Sequence, residues 1–264
     1  MRERSVTVPS QFQHIGFGAE EGVATITLNR PPVNILNIEM MGEINTALER
    51  VASEGDLKVV VLRGEGKAFS AGVDVRDHTA DKVHEMIRIF HRMFRLLNSL
   101  EPPTLAVVDG AALGGGCELA TFCDMVVASE RATFGQPEIT VGVLPPVAAV
   151  VFPHLIGRNR ALEMILTGEV IGAREAERIG LINRVFPTEG FRLEVDGLID
   201  TLTSMSAPVL RLTKRALDKG LYRSADEAIS QVEAIYLDEL MGTEDAHEGL
   251  TAFLEKRKPV WKNA

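Results

Sequence analysis

Hydrophobic and polar positions divide the chain into a strand-rich first part and a helix-rich second part. Gly22-Val23-Ala24-Thr25-Ile26-Thr27-Leu28 alternates with period two, the mark of a half-buried strand. Asn29-Arg30-Pro31-Pro32 ends it, because adjacent prolines cannot extend a ladder. The 20 residues before it are only weakly patterned. Met40 or Met41, Ile44, Leu48 and Val51 recur at helical spacing and predict a helix over 38–53. The apolar run 57–62, broken only by Lys58, predicts a buried strand. Residues 81–100 predict an amphipathic helix with Val83, Met86, Ile87, Phe90, Phe94 and Leu97 on one face, stopped by Pro102-Pro103. Runs at 104–108 and 124–128 predict two more buried strands, and beyond Val147 the pattern is mostly helical.

Two stretches share a plan. Val59-Val60-Val61-Leu62-Arg63-Gly64 leads to Ser70-Ala71-Gly72, and Leu105-Ala106-Val107-Val108-Asp109-Gly110 leads to Gly114-Gly115-Gly116. Buried strand, glycine, loop and small residues recur in that order, which predicts successive strand–strand–helix turns of one coiled α/β layout. The expected division is an α/β core over 1–190 and a helical region over 191–264, with Pro187, Gly190 and Pro208 near the junction. The helical region reads as three helices. Leu210, Thr213, Leu217 and Leu221 share a face of the first, and Ile229, Val232, Tyr236 and Leu240 line the second. Leu250, Phe253 and Leu254 are expected to face inward from the third, which ends in Lys256-Arg257-Lys258-Pro259.

Composition narrows the function. The chain has 264 residues, 45% hydrophobic and 25% charged, which is ordinary globular usage and enough to bury a large core. Its apolar runs fall short of the roughly 18 residues of a membrane span. No apolar signal core follows Met1-Arg2-Glu3-Arg4, so a cytoplasmic protein without membrane attachment is expected. A net charge of −9 argues against nucleic acid as a partner. An anionic ligand then needs a local basic patch or backbone N–H groups. Cys117 and Cys123 are too few and wrongly spaced for a metal site, so free thiols and no metal are expected.

The Gly114-Gly115-Gly116-Cys117-Glu118 stretch is the most informative. Glycines before an apolar helical pattern leave several N–H groups unpaired at a helix start, a place for an anion or a developing oxyanion. Close packing of strand on helix accounts for the same glycines. No Walker loop and no dinucleotide fingerprint is present here. Glu138, in Phe134-Gly135-Gln136-Pro137-Glu138-Ile139, lies 20 residues after Glu118, with the predicted strand between them. A strand out and a loop back can return it to Glu118, and paired carboxylates beside an oxyanion site suit proton transfer next to a carbonyl. Two unrelated surface acids remain the other reading. Ser70 lacks the first glycine of a nucleophile elbow, and His78 sits near acidic Asp74 and Asp77.

Together these stretches resemble the crotonase (enoyl-CoA hydratase/isomerase) superfamily. The likeness runs through Val23-Ala24-Thr25-Ile26-Thr27-Leu28-Asn29-Arg30-Pro31, Lys67-Ala68-Phe69-Ser70-Ala71-Gly72-Val73-Asp74, Asp109 to Ala120, Phe134 to Ile139 and Arg160 to Gly168. The resemblance implies a crotonase-like spiral of ββα units with a C-terminal helical trimerisation region, assembled as a homotrimer or a dimer of trimers. It implies an acyl-CoA substrate, with coenzyme A carried by the substrate and no separate cofactor. The thioester oxygen would sit between the backbone N–H groups of Val73 and Gly115. Glu118 would take a proton from the added water, and Glu138 would supply the α-proton. Coenzyme A would touch the loop of Ser70, Ala71 and Asp74, and Phe253 and Lys256 of a neighbouring copy.

One departure stands out. Common hydratases continue after the second glutamate with a glycine-rich stretch ending in Thr-Gln, where this chain has Val143-Leu144-Pro145-Pro146-Val147-Ala148. With His78, Pro146 and Val147 would reshape the acyl pocket. The pattern resembles the cyclohexa-1,5-diene-1-carbonyl-CoA hydratase branch, which acts in anaerobic breakdown of benzoyl-CoA. The rivals are a straight-chain enoyl-CoA hydratase/isomerase of fatty-acid β-oxidation, a cyclic β-oxoacyl-CoA hydrolase of the same superfamily, and a CoA- or RNA-binding protein without catalysis.

Overall fold

Apolar runs of five or six residues become the strands of a spiral. The computed structural model describes residues 12–221 and 225–264, so the expectation attached to Met1-Arg2-Glu3-Arg4 lies outside the described residues. Strands β1 (Ile15–Glu20) and β2 (Val23–Leu28) form an antiparallel hairpin. The alternation of β1 is hidden in the sequence because Gly16 and Gly18 occupy positions of one face. β2 then pairs in parallel with β3 (Val59–Gly64), followed by β5 (Thr104–Val108), β7 (Met125–Ser129) and β10 (Arg184–Phe186). A second sheet runs β4 (Ala68–Ser70), β6 (Ala111–Leu113), β8 (Thr133–Gly135) and β9 (Val170–Gly172), the last one antiparallel.

Each turn of the spiral sends a long strand into the first sheet, a three-residue strand into the second, and then a helix. After β3 and β4 comes α2 (Val83–Ser99), after β5 and β6 comes α3 (Gly115–Thr121), and after β7 and β8 comes α4 (Ala148–Ile156). The predicted repeat therefore has a third copy, concealed because Glu130-Arg131, with no glycine, follows β7. The corners are crowded. A Cβ on Gly110, at φ +122°, would stand 2.2 Å from the Lys67 carbonyl oxygen, so only glycine fits there.

Helix α1 (Ile38–Ser53) is capped by Asn37, whose Oδ1 accepts the Met40 N–H at 3.1 Å. With α2 and α3 it encloses the main core, in which Ile26, Leu28, Met41, Leu62, Phe69 and Phe134 are completely buried. The opposite face of the first sheet is covered by α7 (Phe191–Thr203), through Phe191, Val195 and Ile199 against Val59, Val61 and Leu105. Cover on both faces is why β3 and β5 read as continuous apolar runs.

The helical region corrects two expectations. It contains α7 besides the three expected helices, which are α8 (Ala207–Gly220), α9 (Ala225–Ala234) with its extension to Gly242, and α10 (Glu244–Leu254). Leu250, Phe253 and Leu254 do not face inward: they are 53%, 81% and 80% exposed. The buried positions of α10 are Asp245 and Ala252, where its small and polar side lies against the rest of the region, so the large apolar residues turn out. No helix among the described residues is long and apolar enough to cross a membrane.

A buried asparagine ties the first turn of the spiral together. Asn34 sits at φ +53°, a conformation asparagine tolerates better than most residues. Its Nδ2 donates to the Glu65 and Ala68 carbonyls, both at 2.9 Å, and its Oδ1 accepts the Arg30 N–H at 2.8 Å. Asn34→Ala leaves these groups unpaired and is expected to lower stability by about 3 kcal/mol in urea denaturation. A loss below about 0.5 kcal/mol, the range of an ordinary surface substitution, would contradict that role.

Candidate active site

The loop after β4 and the start of α3 lie side by side. Ser70 Oγ donates to the Asn34 carbonyl at 2.7 Å and accepts the Gly72 N–H at 3.2 Å. Val73 forms an isolated parallel bridge with Leu36, in which the flanking groups make the bonds: Leu36 N–H to the Gly72 carbonyl and Asp74 N–H to the Leu36 carbonyl, both 2.9 Å. The Val73 N–H is therefore left out of the pairing and faces away from Leu36. A Cβ on Gly72 would lie 3.7 Å from the Gly115 nitrogen, and one on Gly115 would strike Val73 Cγ2 at 2.6 Å and the Phe90 ring at 3.0 Å. The Gly72-Val73 segment and Gly115 thus lie against each other, and neither the Val73 nor the Gly115 N–H has a hydrogen-bond acceptor among the described residues. Phe90 braces this junction, packed edge-on against Phe94 at 4.9 Å.

The two glutamates converge there. Gly114, at φ +52°, has no Cβ because one would stand 2.8 Å from Glu138 Oε1. Glu138 begins the loop after β8 and is half-buried, while Glu118 in the first turn of α3 is 2% exposed. Glu118 Oε1 accepts the N–H groups of Val147 and Ala148, both at 2.7 Å, at the start of α4. The carboxylate thus caps a helix from another part of the chain, and its Oε2 stays free of these bonds. Pro145 and Pro146 have no N–H, and the Ala149, Val150 and Val151 N–H groups bond to the carbonyls of Pro145 and Val147. Burial pushes the Glu118 carboxyl up to about 7; the capping N–H groups oppose the rise and the Glu138 charge adds to it. Burial lifts Glu138 to about 6. The two interact, so they titrate as a pair that holds one proton near neutrality.

Gln136 is a residue the sequence reading passed over. It is completely buried, and its amide nitrogen donates to Glu138 Oε2 at 3.1 Å and Oε1 at 3.2 Å in the orientation that satisfies both groups. Its position two residues before Glu138, ahead of a proline, was the available signal.

Other expected site residues fall into two groups. Ala71 and Val73 lie on the loop surface, while Ser70 is completely buried and its hydroxyl is committed to Asn34 and Gly72, so its side chain holds the loop. The same bonds leave it no partner base, which removes a nucleophilic serine. Asp74 is buried beneath Arg76, which donates to it at 2.7 and 3.0 Å, and the Arg76 guanidinium holds its carboxyl below the usual range. His78 ties back through Nδ1 to the Asp74 carbonyl at 3.1 Å. Pro146 is half-buried and Val147 buried above Glu118, where Val147 contributes its N–H. Phe253 and Lys256 lie on α10 and just beyond it, in the helical region. Cys117 and Cys123 are buried free thiols, and burial pushes both up. No cluster of three or more His, Cys, Asp or Glu among the described residues is placed to hold a metal ion.

Comparison with known proteins places this geometry. The family model described as enoyl-CoA hydratase/isomerase matches residues 18–264. A crotonyl-CoA hydratase of Syntrophomonas wolfei is 37% identical over 253 residues, covering 94% of this chain and 97% of that protein. A short-chain-enoyl-CoA hydratase of Clostridium acetobutylicum is 34% identical over 245 residues, 90% of this chain and 94% of that one. The crystal structure of an enoyl-CoA hydratase from Bacillus anthracis superposes with a TM-score of 0.91 at 31% identity, covering 96% of this chain and all of that chain.

The raised carboxyl of Glu118 has a consequence for stability. The folded protein retains a proton that the unfolded carboxyl releases above its ordinary value of 4.5, so stability falls as pH rises from 4.5 and levels off above about 7. Gln at this position mimics the protonated form, its carbonyl still able to accept from Val147 and Ala148. Glu118→Gln is expected to be more stable than the native protein at pH 8 by up to ~3 kcal/mol, with the difference closing near pH 5. Parallel thermal stability curves from pH 5 to 8 would contradict the assignment.

Proposed function

The chain belongs to the enoyl-CoA hydratase/isomerase family, the crotonase superfamily, and from that premise we propose that it adds water across the C=C bond of an enoyl-CoA thioester. The observation that supports the reading is that Glu138 lies against Gly114 and acts on the buried Glu118, beside Val73 and Gly115, whose N–H groups have no acceptor among the described residues. In the proposed reaction the thioester oxygen accepts both N–H groups. Water oxygen bonds to the β-carbon while Glu118 takes a water proton, and the π electrons move onto the α-carbon and thioester as an enolate. Glu138 then protonates the α-carbon, giving the 3-hydroxyacyl thioester, and the proton on Glu118 returns to Glu138 to reset the pair. Backbone donors supply the positive end that a −9 protein otherwise lacks for a developing oxyanion.

Coenzyme A, carried by the substrate, is proposed to lie along Ala71 and the Asp74–Arg76 pair. The rest of its contact comes from Phe253 and Lys256 of a second copy, in a homotrimer or a dimer of trimers. Exposed apolar side chains in the helical region, among them Leu217, Ile229, Leu237 and Phe253, support such an assembly. A second, finer reading rests on Pro145-Pro146, which stiffen the segment before Val147 where common hydratases have glycine: a cyclic dienoyl-CoA of the cyclohexa-1,5-diene-1-carbonyl type.

Glu118→Gln is expected to bind crotonyl-CoA normally and to lose about 10²–10⁴ in kcat, with Glu138→Gln falling in the same range. The native kcat/KM should be greatest where the pair holds one proton, with limbs near pH 6 and 7. Full turnover by Glu118→Gln would refute the reading. Crotonyl-CoA and cyclohexa-1,5-diene-1-carbonyl-CoA measured side by side decide the acyl group: preference for the diene supports the cyclic reading, and preference for crotonyl-CoA overturns it.

A further inference from the structure

The segment after α10 turns back and is fastened to the helix it follows. Lys256 occupies the left-handed region at φ +55°, and the Arg257 N–H reaches the Ala252 carbonyl at 3.0 Å, so the chain reverses sharply at Lys256. Glu248 accepts both Arg257 Nη groups, at 2.6 and 2.9 Å, and the Val260 N–H at 2.8 Å. One turn earlier, Asp245, 1% exposed, accepts the Lys262 N–H at 2.7 Å and the Asn263 N–H at 3.0 Å. The Trp261 indole donates to the Ser204 carbonyl at 2.7 Å, and its ring lies so close to Gly249 that a Cβ there would be 3.2 Å away. Asn263 Oδ1 accepts the Ala207 N–H at the start of α8.

All of this bonding lies on the inner side of α10. The outer side carries Phe253 and Leu254, which gain nothing from the fold of a single copy. A side chain at a left-handed reversal where glycine is favoured is a local strain, and here it falls on Lys256, whose N–H bonds to the Phe253 carbonyl at 3.2 Å. The main packing of α10 is on α8 and the turn at 240–242, away from α3 and the Glu138 loop. Its outer side is thus presented to a site other than its own.

We propose that residues 257–264 are a strap that holds Phe253 and Lys256 in position to contact the nucleotide part of a coenzyme A thioester bound by a second copy, with Asp245 and Trp261 as its positioning residues. This rests on the reading that Phe253 and Lys256 contact coenzyme A in trans. Neither Asp245 nor Trp261 touches substrate; each acts through the reversal at Lys256.

The test compares crotonyl-CoA with crotonyl-pantetheine, which lacks the nucleotide, on the full-length protein. Trp261→Ala is expected to raise KM for crotonyl-CoA at least about fivefold, as loss of a charge-assisted contact does, with kcat within about twofold. Crotonyl-pantetheine kinetics should not change. Asp245→Ala should behave likewise, and Asp245→Asn, which keeps one acceptor, should recover most of the native KM. Lys256→Gly should raise both the melting temperature and KM for crotonyl-CoA, since it relieves the backbone while removing the cation. If Lys256→Ala leaves KM for crotonyl-CoA unchanged, the underlying contact is absent and the proposal falls with it. If Lys256→Ala raises that KM but Trp261→Ala does not, or Trp261→Ala affects both substrates equally or dissociates the assembly, the contact stands and the strap is overturned.

Discussion

Two N–H groups at the start of α4 meet one oxygen of a buried carboxylate, and most of the site depends on that contact. Val147 and Ala148 each donate to Glu118 Oε1 at 2.7 Å, so the acid that is asked to move a proton also ends a helix. An ionised carboxylate at this depth is tolerated only because those donors compensate part of its lost hydration. They hold one oxygen still and leave the other without a backbone donor. The adjacent prolines keep the arrangement simple, because neither brings a further N–H to compete for Oε2. Stability and chemistry are therefore coupled at one residue: what favours the proton on Glu118 favours the fold, and what favours the ionised base works against it.

The spiral makes this contact possible. Each turn places a short strand of the second sheet one register further along, and the loops after those strands stack at a common edge. The loop after β4 brings the Val73 N–H, the turn after β6 brings Gly115 and Glu118, and the loop after β8 brings Gln136 and Glu138. Glycine at 114 and 115 lets these layers approach closely, since a side chain at either would meet Glu138 or Val73. The fully buried Asn34 fixes the first layer from behind, through bonds to both ends of the Glu65 to Ala68 turn.

Much of this was legible in the chain. Strands buried on both faces announce themselves as apolar runs, and the repeat of strand, glycine and small-residue loop exposed the layering. The triple glycine pointed to free N–H groups, and the spacing of Glu118 and Glu138 allowed their return to one place. Less legible were features that depend on contacts distant in sequence. Ser70 looks like a ligand-facing hydroxyl until its partner, the Asn34 carbonyl, is known. The donors to Glu118 are 29 and 30 residues away and are backbone groups, which side-chain identity does not reveal. The facing of α10 was misread because helical periodicity gives a stripe without saying what the stripe meets; here the small and polar side is the buried one.

Glu118 and Glu138 form one buried, interacting pair, on which the proposed chemistry depends. Carbon-13 NMR of the protein labelled at the glutamate side-chain carboxyls, assigned with Glu118→Gln and Glu138→Gln, measures this directly. Two carboxyl signals are expected with midpoints near 7 and 6: the Glu118 midpoint should fall in Glu138→Gln, which removes the neighbouring charge, while the Glu138 midpoint should stay near 6 in Glu118→Gln, which mimics the neutral partner. Midpoints near the ordinary 4.5 that are indifferent to the partner would mean two separate solvated acids, and would contradict the pairing.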